Sequence, residues 1–311
     1  MGERAVAALR RLGGVRRTCS IDVTRPEGML GPLVLDGRGA DEIDGVEVAN
    51  ATMQASIDFT QGRTITALTV DPDPGAVAAS LVGQPASLRL RDRLDPSDGS
   101  LANLLLDDIG GATLISGYAL TLSGATRAFA GSTGATTDGT LRSFKLPLNV
   151  CAGWEEGGDM PSAMLAGEPV LRIGAPAPRF MDDLPALEPG AMRRRRELVA
   201  DGDGDEIVVT SWFRDTYFTD DGTETLVHEY DMVATVDRTS RRVTASSAQP
   251  GQLPATDCPK AAGSAGRLVG RSLAELRAFV RDELTGITTC THLNDALRAL
   301  GDLDSLLSRQ P

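Results

Sequence analysis

The segment Thr289-Cys290-Thr291-His292-Leu293-Asn294-Asp295 gathers reactive side chains that are scarce elsewhere in the chain. The 311 residues include only 2 histidines and 4 cysteines, and His228, Cys258, Cys290 and His292 all fall at or after position 228. Imidazole and thiolate are the ligands borderline metals prefer, and two of each make a tetrahedral N2S2 set typical of zinc. The same residues also suit a metal-free role. Buried thiols and hydrogen-bonded histidines are ordinary core constituents.

An element that presents these groups must hold Cys290 outside a regular helix. Side chains two apart diverge within a helix, so Cys290 and His292 converge only if Cys290 precedes the first turn. Thr288 or Thr291 then supplies a cap oxygen, and the helix dipole lowers the thiol pKa toward thiolate. Around His228, alternation along a strand places Tyr230 on the same face and Glu229 and Asp231 on the other. Acid/base candidates are Glu229, Asp231, Asp215 and Asp295, with Tyr217 or Tyr230 as orienting groups.

Composition narrows the partners. A net charge of -12 argues against nucleic acid, which needs a basic face. The basic run Arg193-Arg194-Arg195-Arg196 reads as a solvated edge balanced by acidic neighbours. No window approaches the apolar length of a spanning helix, and the N-terminus carries no signal-like run, so a cytoplasmic protein with reduced thiols is expected. No phosphate loop, dinucleotide fingerprint or serine elbow occurs in a suitable context, and Asp203-Gly204-Asp205 reads as a hairpin turn because a calcium loop's closing Glu is missing.

The chain reads as α+β, in two tandem diverged copies of one antiparallel-sheet-plus-helices unit over residues 17–125 and 191–311. Met53-Gln54-Ala55-Ser56-Ile57-Asp58 parallels Met232-Val233-Ala234-Thr235-Val236-Asp237, and each continues into a second strand. Leu81-Val82-Gly83-Gln84 parallels Leu268-Val269-Gly270-Arg271. The first copy lacks the Cys/His set, which makes the interface between halves the expected ligand position. Residues 126–190 form the connector, rich in Gly/Ser/Thr/Ala over 128–140 and in Pro over 161–189, with Val150 to Trp154 as an anchored point.

Val227-His228-Glu229-Tyr230, Asp257-Cys258-Pro259 and the Cys-Thr-His-Leu run resemble domain-of-unknown-function family 2889. Thr18 to Thr24, Leu104 to Tyr118, Met192 to Arg196 and Phe213-Arg214-Asp215 extend that resemblance over nearly the whole chain. The family name implies no activity. More distantly, the C-terminal copy is similar to the scaffold proteins on which iron–sulfur clusters are assembled. That likeness implies ligand roles for Cys258 and the Cys290/His292 pair, with His228 near the first ligand position. The Cys-Thr-His spacing and the missing Cys-Gly-Asp motif depart from it, leaving a mononuclear zinc or iron site.

Three functions compete. The first is a metal-dependent enzyme, a lyase or hydrolase for a small organic molecule, with metal ligands drawn from Cys258, Cys290, His292 and His228. His228, Glu229, Tyr230 and Asp215 are its catalytic candidates. The second is a closed structural zinc site, and the third a metal-free Cys290 nucleophile with a histidine base. The expected partner is a small-molecule substrate, without nucleic acid or membrane, and a homodimer is left open.

Overall fold

A computed structural model describes residues 14–59, 62–123, 147–166, 173–177, 184–202 and 204–309. The stretch 128–140 and much of the Pro-rich run lie outside the described residues. The first four strands are β1 (Val15–Thr24), β2 (Leu33–Ile43), β3 (Val46–Asp58) and β4 (Thr64–Asp71). Helices α1 (Ala76–Leu81), α2 (Leu101–Leu122) and α3 (Asp159–Ala166) follow. Strands β5 (Met192–Asp201), β6 (Glu206–Phe218), β7 (Glu224–Asp237) and β8 (Val243–Pro250) lead to α4 (Leu276–Glu283), α5 (Thr291–Ala299) and α6 (Leu303–Leu307).

The α+β class holds, but the strands do not make two sheets. They form one antiparallel sheet of 8 strands in the order β4-β3-β2-β1-β5-β6-β7-β8. Strands β1 and β5 are its centre, paired from Val15↔Ala200 to Val23↔Met192. Each half is a meander that runs outward from this pair. The register breaks between Asp41 and Glu42 in β2, and between Asp215 and Thr216 in β6. It breaks again before Ile57 in β3 and before Val236 in β7. The Leu-Val-Gly segments dock alike. Ile65 N–H donates to the Gln84 carbonyl and Gly83 N–H to Ile65, as Val243 N–H donates to Arg271 and Gly270 N–H to Val243.

Helix α2 packs against the inner face of the sheet with 22 residues, apolar on most sides and buried along nearly its whole length. An all-round apolar helix needs that central position. Ser100 caps it by accepting the Asn103 N–H at 3.1 Å.

The inward positions of the central strands explain how the core divides. Along β1 they are Val15, Arg17, Cys19, Ile21 and Val23; along β5, Met192, Arg194, Arg196, Leu198 and Ala200. Val15, Leu198 and Ala200 belong to one apolar cluster, and Cys19, Ile21, Val23 and Met192 to another. Arginines form the seam. The run 193–196 is therefore not a solvated edge, since Arg193, Arg194 and Arg196 are all buried. Strand alternation carries Arg194 and Arg196 under α2 and α5, where aspartates compensate them.

That compensation is one connected network. Arg17 joins Asp41 (2.7 Å) and Asp302 (2.9 Å); Arg277 joins Asp302 (2.5 Å) and Asp107 (3.6 Å). Arg298 and Arg91 each join Asp107 to Asp295, at 2.7 to 3.1 Å. Arg194 reaches Asp295 (2.7 Å), Asp108 (3.5 Å) and Asp215 (2.9 Å), and Arg196 holds Asp108 at 2.5 Å. Buried pairs of this kind add little net stability but are costly to break singly.

Candidate metal centre

Asp215 sits on β6 opposite His228 on β7, with Arg194 opposite it on β5. His292 comes from the first turn of α5, which begins where the sequence places it: Cys290 is the N-cap residue. No threonine oxygen caps that helix. Instead Thr289 Oγ1 bonds the Asn294 side chain (2.6 Å), and the Asn294 amide donates to the Leu284 carbonyl (2.7 Å).

The Asp215, His228 and His292 side chains each offer one ligand atom, all within 4.8 Å of one another. His228 Nδ1 is 3.3 Å and His292 Nε2 3.8 Å from the same Asp215 Oδ2. The imidazoles stack, with centroids 3.6 Å apart and planes at 19°. Both nitrogens are buried and neither makes a hydrogen bond of good geometry, although His228 Nδ1 is near enough to Asp215 to steady its carboxylate. Burial, then the neighbouring His228, push His292 down to about 3. Burial works to raise the Asp215 carboxyl, but Arg194 and the two imidazoles override it and hold it well below the usual range.

His292 Nδ1 faces Cys290 Sγ (3.9 Å) and Thr291 Oγ1 (3.4 Å), two groups that can donate or accept, while Nε2 faces a carboxylate oxygen. Two imidazole nitrogens and an anionic oxygen facing one another form a group that could hold a cation. One proton bridges one imidazole to Asp215, whereas a divalent ion satisfies both. Ligand atoms around such an ion sit roughly 3–3.6 Å apart for bonds of ~2.0–2.2 Å. Modest contraction reaches that spacing.

The three-ligand group differs from the expected one. Among the described residues neither Cys258 nor Cys290 joins it. Burial pushes the Cys290 thiol up to about 12 and the Cys258 thiol to about 11, so desolvation outweighs the helix terminus that was expected to favour thiolate. Tyr230 is fully buried with its hydroxyl beside Cys290 Sγ, and burial raises it far above its usual range. Glu229 is on the opposite sheet face, where it accepts from Arg214 Nε at 3.0 Å. Asp231, also on that face, is exposed, and burial with Glu229 nearby raises it. Asp295 is held by Arg91, Arg194 and Arg298 and acts on the site electrostatically, through His292.

Residues 192–305 match the family model for DUF2889, a protein of unknown function. The match is narrower than the near-complete resemblance read from the sequence, and it contains all three members of the site. No curated protein and no solved structure matches the chain, so the likeness to iron–sulfur scaffolds gains no support. The DUF2889 region supplies the whole triad, and the first half touches it indirectly through Asp108, Arg91 and Gly111.

Gly111 and Arg194 are the residues sequence reasoning missed. A Cβ on Gly111 would fall 2.0 Å from Arg194 Nη1 and 2.7 Å from Asp295 Oδ2. Glycine in a helix interior costs about 1 kcal/mol relative to alanine, and here it admits the bridge that holds Asp215. The Gly110-Gly111 pair within an apolar helix was the available signal.

Proposed function

We propose that the chain is a metal-dependent enzyme acting on a small organic molecule by lyase or hydrolase chemistry. Asp215, His228 and His292 would be the ligands of a zinc or ferrous ion. The observation that carries this reading is the pair of buried, unpartnered imidazole nitrogens aimed at one carboxylate oxygen. Two histidines and one carboxylate are a recurrent catalytic set for both metals, and three protein ligands leave positions open for water and substrate. When bound, the ion would act as a Lewis acid. Arg194 fixes the Asp215 carboxylate by two bonds (2.9 and 3.2 Å), and Cys290 with Thr291 flanks His292 Nδ1.

The rival readings lose ground on the same geometry. A closed zinc site needs the two thiols that lie outside the group. A Cys290–His292 nucleophile pair needs a thiolate and a competent base, but the thiol is pushed up and the imidazole down. Metal stoichiometry tests the assignment. Protein purified without chelator and reloaded with zinc or iron(II) should hold one ion per chain, Asp215→Asn and His292→Ala should lose it, and Cys258→Ala should keep it. Retention by Asp215→Asn together with loss from Cys258→Ala would overturn it.

We also infer that the two halves are diverged copies of one unit, supported by the shared meander order, the matched register breaks and the equivalent Leu-Val-Gly docking. Homologue profiles of the two halves that share no more similarity than unrelated α+β segments would refute it.

A further inference from the structure

The buried charges around the site already balance. Six buried arginines (17, 91, 194, 196, 277, 298) face six aspartates (41, 107, 108, 215, 295, 302) in the connected network, and a seventh, Arg309, reaches Asp41 from the solvent side. Asp215 belongs to it, and Arg194 already spends its charge on that carboxylate through two hydrogen bonds. Imidazoles that hold an ion do so through a lone pair, as neutral groups, and bring no negative charge of their own. A divalent ion placed on Asp215, His228 and His292 therefore arrives with a charge of about +2 that nothing in its surroundings offsets. In a site this dry an uncompensated charge is strongly disfavoured. The part that meets solvent is the imidazole pair, each keeping about a tenth of its side-chain surface (10% for His228, 12% for His292).

Resting on the metal reading above, we propose that the ligand completing this centre is an oxygen-donor anion, and that the substrate is a small organic acid that approaches the ion through its carboxylate. The protein leaves the ion's charge for the substrate to neutralise, which selects anions over neutral isosteres of the same shape. Binding of a neutral oxygen donor leaves the excess charge in place, whereas a carboxylate removes half of it.

Acetate and acetamide are isosteric, and acetate alone carries the charge. The cobalt(II)-loaded full chain, whose visible spectrum reports ligand exchange, should be titrated with each. Acetate is expected to bind at least tenfold more tightly than acetamide. Arg194→Met returns the Asp215 charge to the centre and should shrink that ratio. Should that variant fail to fold, Asp108→Asn removes a carboxylate from the network and should enlarge it. Equal affinity for the two probes, or a spectral change driven by pH alone with no acetate response, overturns the proposal while leaving the metal centre intact. Failure to take up cobalt at all overturns the metal reading, which the stoichiometry experiment detects separately.

Discussion

Two places in the sheet share a frame and differ in what fills it. In the first half Arg17, Asp41 and Ala49 lie opposite one another across β1, β2 and β3; in the second, Arg194, Asp215 and His228 do so across β5, β6 and β7. Both aspartates are fully buried, both are gripped by their arginine, and both sit at a register break. Asp41 Oδ2 also takes Arg309 Nη1 at 3.2 Å, so the chain supplies that oxygen with a cation of its own. Asp215 Oδ2 meets two imidazole nitrogens instead. The same buried ion pair is thus sealed in one half and left open in the other, and only the open one has the makings of a metal site.

The largest effect that would sharpen this contrast is on stability. Asp41→Asn leaves Arg17 short of one partner and should cost about 3–5 kcal/mol in urea unfolding, with metal content unchanged. Loss of metal from that variant would break the distinction between the halves. Next, His228→Ala gives the second half the residue the first half has. It should weaken zinc binding at least ~100-fold in competition with a chromogenic chelator, since it deletes a ligand outright.

A third effect comes from protons. The His292 imidazole in the folded, metal-free protein titrates at about 3, below its ordinary 6.5. Its folded pKa is depressed, so the associated stability is present above pH 6.5 and is lost as pH falls from there toward 3. Urea midpoints of the metal-free chain should drop across that window, and His292→Ala should flatten the slope. A slope unchanged by the substitution would mean that other groups carry it. The smallest effect is at the sealed site's rim. Arg309 is 40% exposed, so Arg309→Ala should cost no more than about 1 kcal/mol, and less in high salt.

The strands and turns of each half were legible because alternation and the Leu-Val-Gly signals are local. The joining of β1 to β5 was not, because strand pairing 173 positions apart (Ile21 with Arg194, for example, within the register Val15↔Ala200 to Val23↔Met192) leaves no local trace. His228, His292 and Asp215 were named in advance by residue type and by neighbouring motif. Their grouping without the cysteines was not, because the choice rests on which way β7 and α5 turn their side chains. The arginine run was misread for a physical reason. Four consecutive charges look solvated unless Asp22, Asp108, Asp215 and Asp295, scattered along the chain, are known to converge on them.

The seam of arginines and aspartates also bears on how the chain comes into being. Of the charges the first half buries, Arg17 relies on Asp302, Asp107 on Arg277 and Arg298, Asp108 on Arg194 and Arg196, and Arg91 on Asp295. Arg17 and Arg91 also hold Asp41 and Asp107 within that half, but among the described residues Asp108 finds its arginines only after residue 190. A nascent first half that closed α2 onto its four strands would trap that carboxylate without a partner, at several kcal/mol. Its collapse is complete once β5 arrives, so the two meanders, however alike, finish as one cooperative unit.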